Sequence, residues 1–453
     1  MRSRAVFAGA LLSSALVSGG WFVERGLTAG SPSSADGARL FDQVFDYVSK
    51  LYVDTLSDST LYVDAAQGVV DELHDPHSEY LSPTLYARLN ESTSGRYVGI
   101  GTQVDDRDGW VTVVAPLPGG PALAAGIRPG DRIVDVNGES MRGQPIDVVQ
   151  KALRGAPGST VRLTVERASA PAPLTFTLQR REIHVQSVQH ATLLPNGVGY
   201  VAFMIFSESS AQELEHAIDS LSRAGMHALV LDLRENPGGL LEQGVGVADL
   251  FLNPGQRIVT MRGRSADLTH TFTDRAAQRW PALPIAVLVD SNTASAAEIV
   301  SGALQDHDRA VLLGTTTYGK GSAQSVFPLP AGGAVKLTTA LWYTPSGRSL
   351  NRPRPGEDPF GADTTASHAK PTYKTDAGRT VLGGGGITPD AVVPVNGDSV
   401  TVRLLSTVPP QELLADSAIA IAARLEAGVT SQKELFDRVA RLQRPAARRD
   451  SAP

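Results

Sequence analysis

Residues 287–324 read VLVDSNTASAAEIVSGALQDHDRAVLLGTTTYGKGSAQ. An apolar run (Ile285, Val287, Leu288, Val289) ends in the small polar turn Asp290, Ser291, Asn292, Thr293. A helical pattern follows from about Ser295 to Asp306, with Ile299, Val300, Ala303 and Leu304 spaced for one buried face. A second apolar run, Ala310 to Leu313, stops at a glycine-rich turn carrying Lys320. Strand, corner, helix and strand in this order predict an α/β layer with Ser295 at the corner. There its hydroxyl meets the free N–H groups and positive dipole end of the helix, which favour developing negative charge.

Such a serine needs a base, because its hydroxyl is a weak nucleophile at neutral pH. The basic side chains nearby in sequence are His307, Arg309 and Lys320. Lys320 lies between Gly319 and Gly321, which lets the backbone turn tightly. An apolar pocket would lower its pKa from about 10.4 towards the working pH. Gln324, four residues on, shares a face with it and is placed to orient the amine. The ordinary reading of each residue alone is an N-cap and an exposed cation. A phosphate-binding loop is the sharper rival, since residues 314–320 match G-x-x-x-x-G-K after a strand. That motif requires Ser or Thr directly after the lysine and a helix beyond; here Gly321 and an extended segment follow.

The segment resembles the catalytic core of the carboxy-terminal processing proteases. Their S-A-S-A-S-E-I pattern falls on Thr293–Ile299, and their F-G-K-G-x-x-Q on Tyr318–Gln324. The resemblance runs from about residue 38 to residue 395. It implies a serine endopeptidase with Ser295 as nucleophile, Lys320 as base and Gln324 as its support, and it requires no metal or cofactor. The serine and lysine stand 25 positions apart, as that pattern requires.

With 453 residues, 42% of them apolar, the chain has material for about three domains. A net charge of -6 argues against nucleic acid as the main partner. Cysteine is absent, so disulfides and thiolate metal sites are excluded. Residues 1–35 read as an export segment: Arg2 and Arg4 precede the uncharged stretch Ala5 to Val23. No clean A-x-A site follows, so a removed signal and an uncleaved membrane anchor both stand, with an exported, periplasmic or extracytoplasmic location either way.

Residues 36–95 read as a helical region. Apolar positions 40, 41, 44, 45, 48, 51 and 52 share one face, and a second helix spans about Leu61 to Leu73. His74 and His77 tempt a metal reading, but Asp75-Pro76 is turn chemistry that breaks any helix holding both imidazoles. Residues 96–183 alternate short β runs with Gly, Pro and Asp turns, with helices at Pro121 to Ala125 and Gln144 to Leu153. They resemble a PDZ domain, in which Val98, Gly99, Ile100 and Gly101 form the loop that holds a peptide's C-terminal carboxylate.

Residues 184–398 read as the peptidase core. Strands are expected at Val198 to Phe203 and Ala228 to Leu233, with a helix from Ala211 to Ala224 between them. The turn Arg234-Glu235-Asn236-Pro237-Gly238-Gly239 closes the second strand. By resemblance the N–H groups of Gly238, with Gly239 possible, and of Ala296 form the oxyanion hole. Asp232, Arg234 and Glu298 are expected to brace the site as an ion-pair network. Residues 352–380 read as a surface loop. In the extension 399–453, Glu412 to Ala427 and Ser431 to Leu442 read as amphipathic helices and the end as disordered. Packing on the core, self-association and no role all stay open for it.

The expected fold is therefore multidomain α+β: a helical N-terminal region, a PDZ-like β-barrel module, an α/β core of the ClpP/crotonase-like type that the resemblance implies, and a helical tail. The expected partners are proteins with free C-terminal tails, with a homo-oligomer or regulatory partner possible. A catalytically silent tail-binding scaffold is the alternative from another class.

Overall fold

The computed structural model describes residues 34–330, 332–352, 370–393 and 409–442. Almost all of the expected export segment, most of the insertion 352–380 and the tail beyond 442 lie outside these residues. The chain divides into two compact units, residues 1–80 and 81–453.

In the first unit the helices Ser34–Leu51 and Asp58–Asp71 lie against each other, Phe45 stacking on Tyr62 with ring centroids 4.3 Å apart. The second helix starts before Leu61 because the Ser57 hydroxyl accepts the Thr60 N–H at 3.1 Å, an N-cap. After it, the Asp75 carboxylate accepts the His77 N–H and the Ser78 hydroxyl, the turn that Asp75-Pro76 foretold. Among the described residues no group of three or more His, Asp or Glu is placed to hold a metal ion. Among them, too, no helix is long and apolar enough to cross a membrane.

The second unit opens with a helix, Pro83–Ser94, capped by Ser82 and closed by left-handed Gly95. The strand Arg96–Gly99 then pairs antiparallel with Arg181–His184. Between them lies an antiparallel six-stranded sheet whose inward residues, among them Val113, Ile133, Val161, Leu163 and Val165, are buried. The helix Ile146–Leu153 packs against it through Val149 and Leu153.

The core is a second six-stranded sheet in the order 188–193, 198–203, 228–232, 285–289, 311–314, 391–392. Its first pair is antiparallel and every later pair parallel. Strands buried on both faces have to be apolar throughout, which is why Ala228–Asp232 and Ile285–Val289 are continuous apolar runs. Alternate residues divide between two layers. Val201, Phe203, Leu229, Leu231, Val287 and Val289 meet the helices Ser210–Arg223, Leu241–Asp249 and Ala296–Asp306. Tyr200, Ala202, Val230, Ala286 and Leu288 meet Ala418, Ile419, Ala422 and Leu435 of the C-terminal helices Ser417–Glu426 and Gln432–Leu442. The extension is thus one covering layer of the core. The Gln432 side chain fastens it by bonding both the N–H and the C=O of Ile285. Part of the expected surface loop is also ordered: Thr372–Lys374 and Thr380–Leu382 form a hairpin.

Asp274 ends the strand His270–Thr273 and is buried. Burial first, then the neighbouring carboxyl of Asp249, push its pKa up to about 6 against the Ala276 N–H that favours the anion. A raised folded-state pKa means that Asp274 contributes its stability fully below the unfolded value near 4 and loses it as pH climbs through about 6. Asp274→Asn, a neutral isostere, is expected to raise the thermal midpoint over wild type at pH 8 and not at pH 4. Unfolding curves at the two pH values check this, and equal differences at both would refute it.

Candidate active site

Three parallel strands end side by side at Asp232, Val289 and Gly314, and the loops leaving their carboxyl ends carry the candidate residues. This edge is where open α/β sheets place ligands. Ser295 precedes the helix Ala296–Asp306 and has φ 56° and ψ −118°. This sparsely populated conformation costs on the order of 1–3 kcal/mol for a side chain with a Cβ, and such strain gathers at functional sites.

The loop is held in that shape by its neighbours. The Asp290 carboxylate accepts the N–H groups of Glu235, Asn292 and Thr293. The Thr293 hydroxyl donates to the Leu233 carbonyl at 2.9 Å, and the Ala294 N–H to the Asn236 carbonyl at 2.9 Å. The serine loop is therefore tied along its length to the loop 233–239. A Cβ on Gly238, itself at φ 91°, would stand 2.7 Å from the Ser295 Cβ and 2.8 Å from the Ala296 nitrogen. Gly238 is thus the close approach that the sequence assigned to it. Its N–H, however, donates to the Asn236 side chain at 2.8 Å. A role for Gly238 as oxyanion donor needs Asn236 to release that bond; Gly239 is the neighbouring donor. Ala296 opens the helix, where N–H groups have no intrahelical acceptor.

Glu298 joins this serine to the lysine. It is wholly buried, and its Oε2 accepts the N–H of Ser295 at 2.9 Å and the N–H of Lys320 at 2.9 Å. Two nitrogens each 2.9 Å from one oxygen are less than about 6 Å apart. Oε1 accepts the Thr317 hydroxyl at 2.5 Å and the Gly319 N–H at 2.8 Å. Burial pushes the Glu298 carboxyl above its ordinary range, against these hydrogen bonds, which favour the anion. The expected ion-pair network of Asp232, Arg234 and Glu298 is corrected accordingly. Asp232 and Arg234 pair at 2.7 Å, while Glu298 forms no ion pair with them among the described residues and gathers donors from the loops of Ser295 and Lys320.

Lys320 and Gln324 are half-buried. Gln324 donates its amide to the hydroxyls of Ser322 at 3.0 Å and Thr338 at 3.1 Å, so its orientation is set by the hairpin Ser322–Pro328 and Ala334–Tyr343. Gly386 packs against the lysine loop: at φ 90°, its Cβ would lie 2.3 Å from the Thr317 carbonyl. The other two basic candidates sit at the far end of the helix. The rings of His307 bond the Arg257 carbonyl and Asp376. Arg309 donates to the carbonyls of Phe251, Leu283 and Trp280, and burial pushes it down to about 10. Eleven helical residues at 1.5 Å each put that end about 16 Å from Ser295.

In the PDZ-like module, Gly99 and Ile100 line a cavity of 370 Å³ between the strand Thr102–Arg107 and the helix Ile146–Leu153. Val98 belongs to the strand Arg96–Gly99, and the Gly101 carbonyl accepts the Leu117 N–H. Met204 and Ile205 of the core line the same cavity, which adjoins a second of 510 Å³ beside the helix Pro83–Ser94. Between the two, the Arg154 guanidinium stacks over Tyr97 at 5.0 Å and pairs with Glu91. Sequence reasoning missed Asn236, Asp290 and Thr317 as supports. Only their turn-forming types in the loops at strand ends carried any signal.

A mainly parallel sheet covered on both faces, with a strained serine at its carboxyl edge, is joined in one chain to a β module with a groove between strand and helix. The model of peptidase family S41 matches residues 197–359, and that of the PDZ domain residues 112–167. The chain is 37% identical over 314 residues to the carboxy-terminal-processing protease of Bartonella bacilliformis, covering 68% of this chain and 71% of that one. It is 34% identical over 326 residues to the carboxy-terminal processing protease CtpA of Bacillus subtilis, covering 71% and 69%. The chain therefore belongs to the carboxy-terminal processing proteases, a family of serine-type peptidases within S41. Among solved structures it is similar to a photosystem II D1 C-terminal processing protease, 27% identical over 82% of this chain and 98% of that one, with a TM-score of 0.43.

Proposed function

We propose that the chain is an endopeptidase that takes protein substrates by their free C-terminal tails and cuts them through an acyl-enzyme on Ser295. The observation that supports the reading is the single Glu298 oxygen accepting both the Ser295 and the Lys320 N–H, which brings the backbones of the two residues together. Neutral Lys320 takes the Ser295 hydroxyl proton as the Oγ–C bond forms. The resulting ammonium returns that proton to the leaving amine as the C–N bond breaks. Water then adds to the acyl carbon, its proton passing to Lys320 and on to Ser295 as the Oγ–C bond breaks. Backbone N–H groups of Ala296 and of Gly238 or Gly239 hold the developing oxyanion. Gln324 orients the lysine, and Asp232 and Arg234 brace the loop.

The core is assigned to the ClpP/crotonase-like type, which its mainly parallel sheet covered by helices on both sides supports. The tail adds as a strand to Thr102–Arg107, with its carboxylate at Val98–Gly101. Residues 1–35 direct the enzyme out of the cytoplasm, as a removed signal or an anchor in the inner membrane.

The reading is tested with one unstructured protein prepared with a free and with an amidated C-terminus. The free form is expected to show a kcat/KM about tenfold higher, since amidation removes a charge-assisted carboxylate contact. Equal values would sink tail recognition.

A further inference from the structure

Arg234 leads the loop that carries Gly238 and Gly239, and its guanidinium is fully buried. Nε and Nη2 donate to the two oxygens of Asp232 at 2.9 and 2.7 Å, and the Tyr200 hydroxyl donates to Asp232 at 2.8 Å. Its remaining terminal nitrogen, Nη1, meets Asp416 at 3.0 Å. Asp416 is the N-cap of the helix Ser417–Glu426, accepting the N–H groups of Ala418 and Ile419 at 2.9 and 3.2 Å. It lies outside the stretch that matches the peptidase model, residues 197–359. One carboxylate therefore caps a C-terminal helix and accepts from the Nη1 of an arginine two residues ahead of Asn236, whose side chain accepts the Gly238 N–H.

We infer that Asp416 is a positioning residue for the proposed oxyanion loop, so that the cap of the helix Ser417–Glu426 serves the catalytic apparatus and not only the covering of the sheet. The inference rests on the Ser295 mechanism proposed above. A buried guanidinium keeps its place when every N–H has an acceptor. Asp232 holds it from its own strand end, and only Asp416 holds it from another element of the structure among the described residues. Without that second carboxylate Nη1 loses its charged acceptor, the fork is free to turn about Asp232, and the loop from Arg234 to Gly239 loses its outer fastening. A displacement of the order of 1 Å at a donor is enough to slow chemistry about a hundredfold.

The test uses the full chain carrying Asp416→Asn or Asp416→Ser. Asn and Ser cap helices about as well as Asp, so both remove the charge facing Arg234 while keeping the cap. Leu435→Ala is the control: it weakens the same helical layer from Gln432–Leu442, away from Arg234. Casein cleavage gives kcat and KM, and hydrogen exchange followed by mass spectrometry reads residues 233–241. The expected result is a kcat lower by about tenfold in Asp416→Asn and Asp416→Ser, with KM within about twofold of wild type and faster exchange in 233–241. Leu435→Ala should lower the thermal midpoint and leave kcat and that exchange near wild type. Wild-type kcat in both Asp416 variants, or the same loss of kcat in Leu435→Ala, overturns the inference. Ser295→Ala run in parallel separates the two readings. If it cleaves casein like wild type, the serine mechanism fails, while exchange in 233–241 still decides whether Asp416 fastens the loop.

Discussion

Ser295→Ala and Lys320→Ala are each expected to reduce cleavage of an unstructured protein by at least about 10⁴-fold while leaving the thermal midpoint near that of wild type. The serine is half-buried and its loop is held by the carboxylates of Glu298 and Asp290 and by the Asn236 carbonyl, while its hydroxyl faces the Glu298 N–H in a capping box. Removing Oγ therefore takes away the proposed nucleophile and one helix cap, worth about 1 kcal/mol. The lysine adds a finer discrimination. Arginine cannot be deprotonated in a protein, so Lys320→Arg keeps a cation at the site and removes the base. If Lys320 acted only as a positive charge, Lys320→Arg would stay active; if it takes the serine proton, that variant is as dead as Lys320→Ala. Peptides released by the wild type and the three variants, counted by mass spectrometry, make the comparison. Retained cleavage in Ser295→Ala would also favour a second, unrelated hydrolytic centre over the proposed one.

The elements that carry the site were legible because each is a local pattern. The all-apolar runs 228–231 and 285–289 can only be strands covered on both faces, and the polar corner before Ser295 can only be the start of the next helix. What stayed hidden is what depends on tertiary approach. Glu298 sits three residues into a helix, where charge pairing with Asp232 and Arg234 was the natural expectation. Its actual donors come from residues 317 to 320, brought up by a parallel strand pairing that no local pattern encodes. The bond from Gly238 to Asn236 is equally invisible, since a glycine-rich turn announces close approach but not which N–H is occupied. The C-terminal helices were readable as amphipathic, but the packing of Ala418, Ala422 and Leu435 against Ala286 and Leu288 joins segments far apart in the chain and leaves no local pattern. Asp416 lies 182 positions from Arg234. An ion pair at that separation leaves no trace in spacing or periodicity.

Glu298→Ala carries the second largest expected effect, because its carboxylate holds both the Ser295 loop and the Lys320 loop of the proposed machinery. Its loss leaves the Ser295, Gly319 and Lys320 N–H groups and the Thr317 hydroxyl without their acceptor inside the protein. Each buried donor so orphaned costs about 1–3 kcal/mol unless water enters, so a fall of several kcal/mol in unfolding free energy is expected. Glu298→Gln is the milder and more telling variant. An amide of the same shape presents one oxygen where two are needed and turns an N–H₂ towards two of the four donors. Whichever way it settles, it loses either the pair Ser295 and Lys320 or the Gly319 N–H, since the Thr317 hydroxyl can turn and accept from the amide. The first case separates the nucleophile from the base, and the second lets the lysine loop move. In both, kcat is expected to fall about 100-fold or more while the chain still folds. Turnover of an unstructured protein together with urea unfolding distinguishes this from simple instability. A Glu298→Gln enzyme with wild-type kcat would mean that Ser295 and Lys320 are held together by something other than the carboxylate between them.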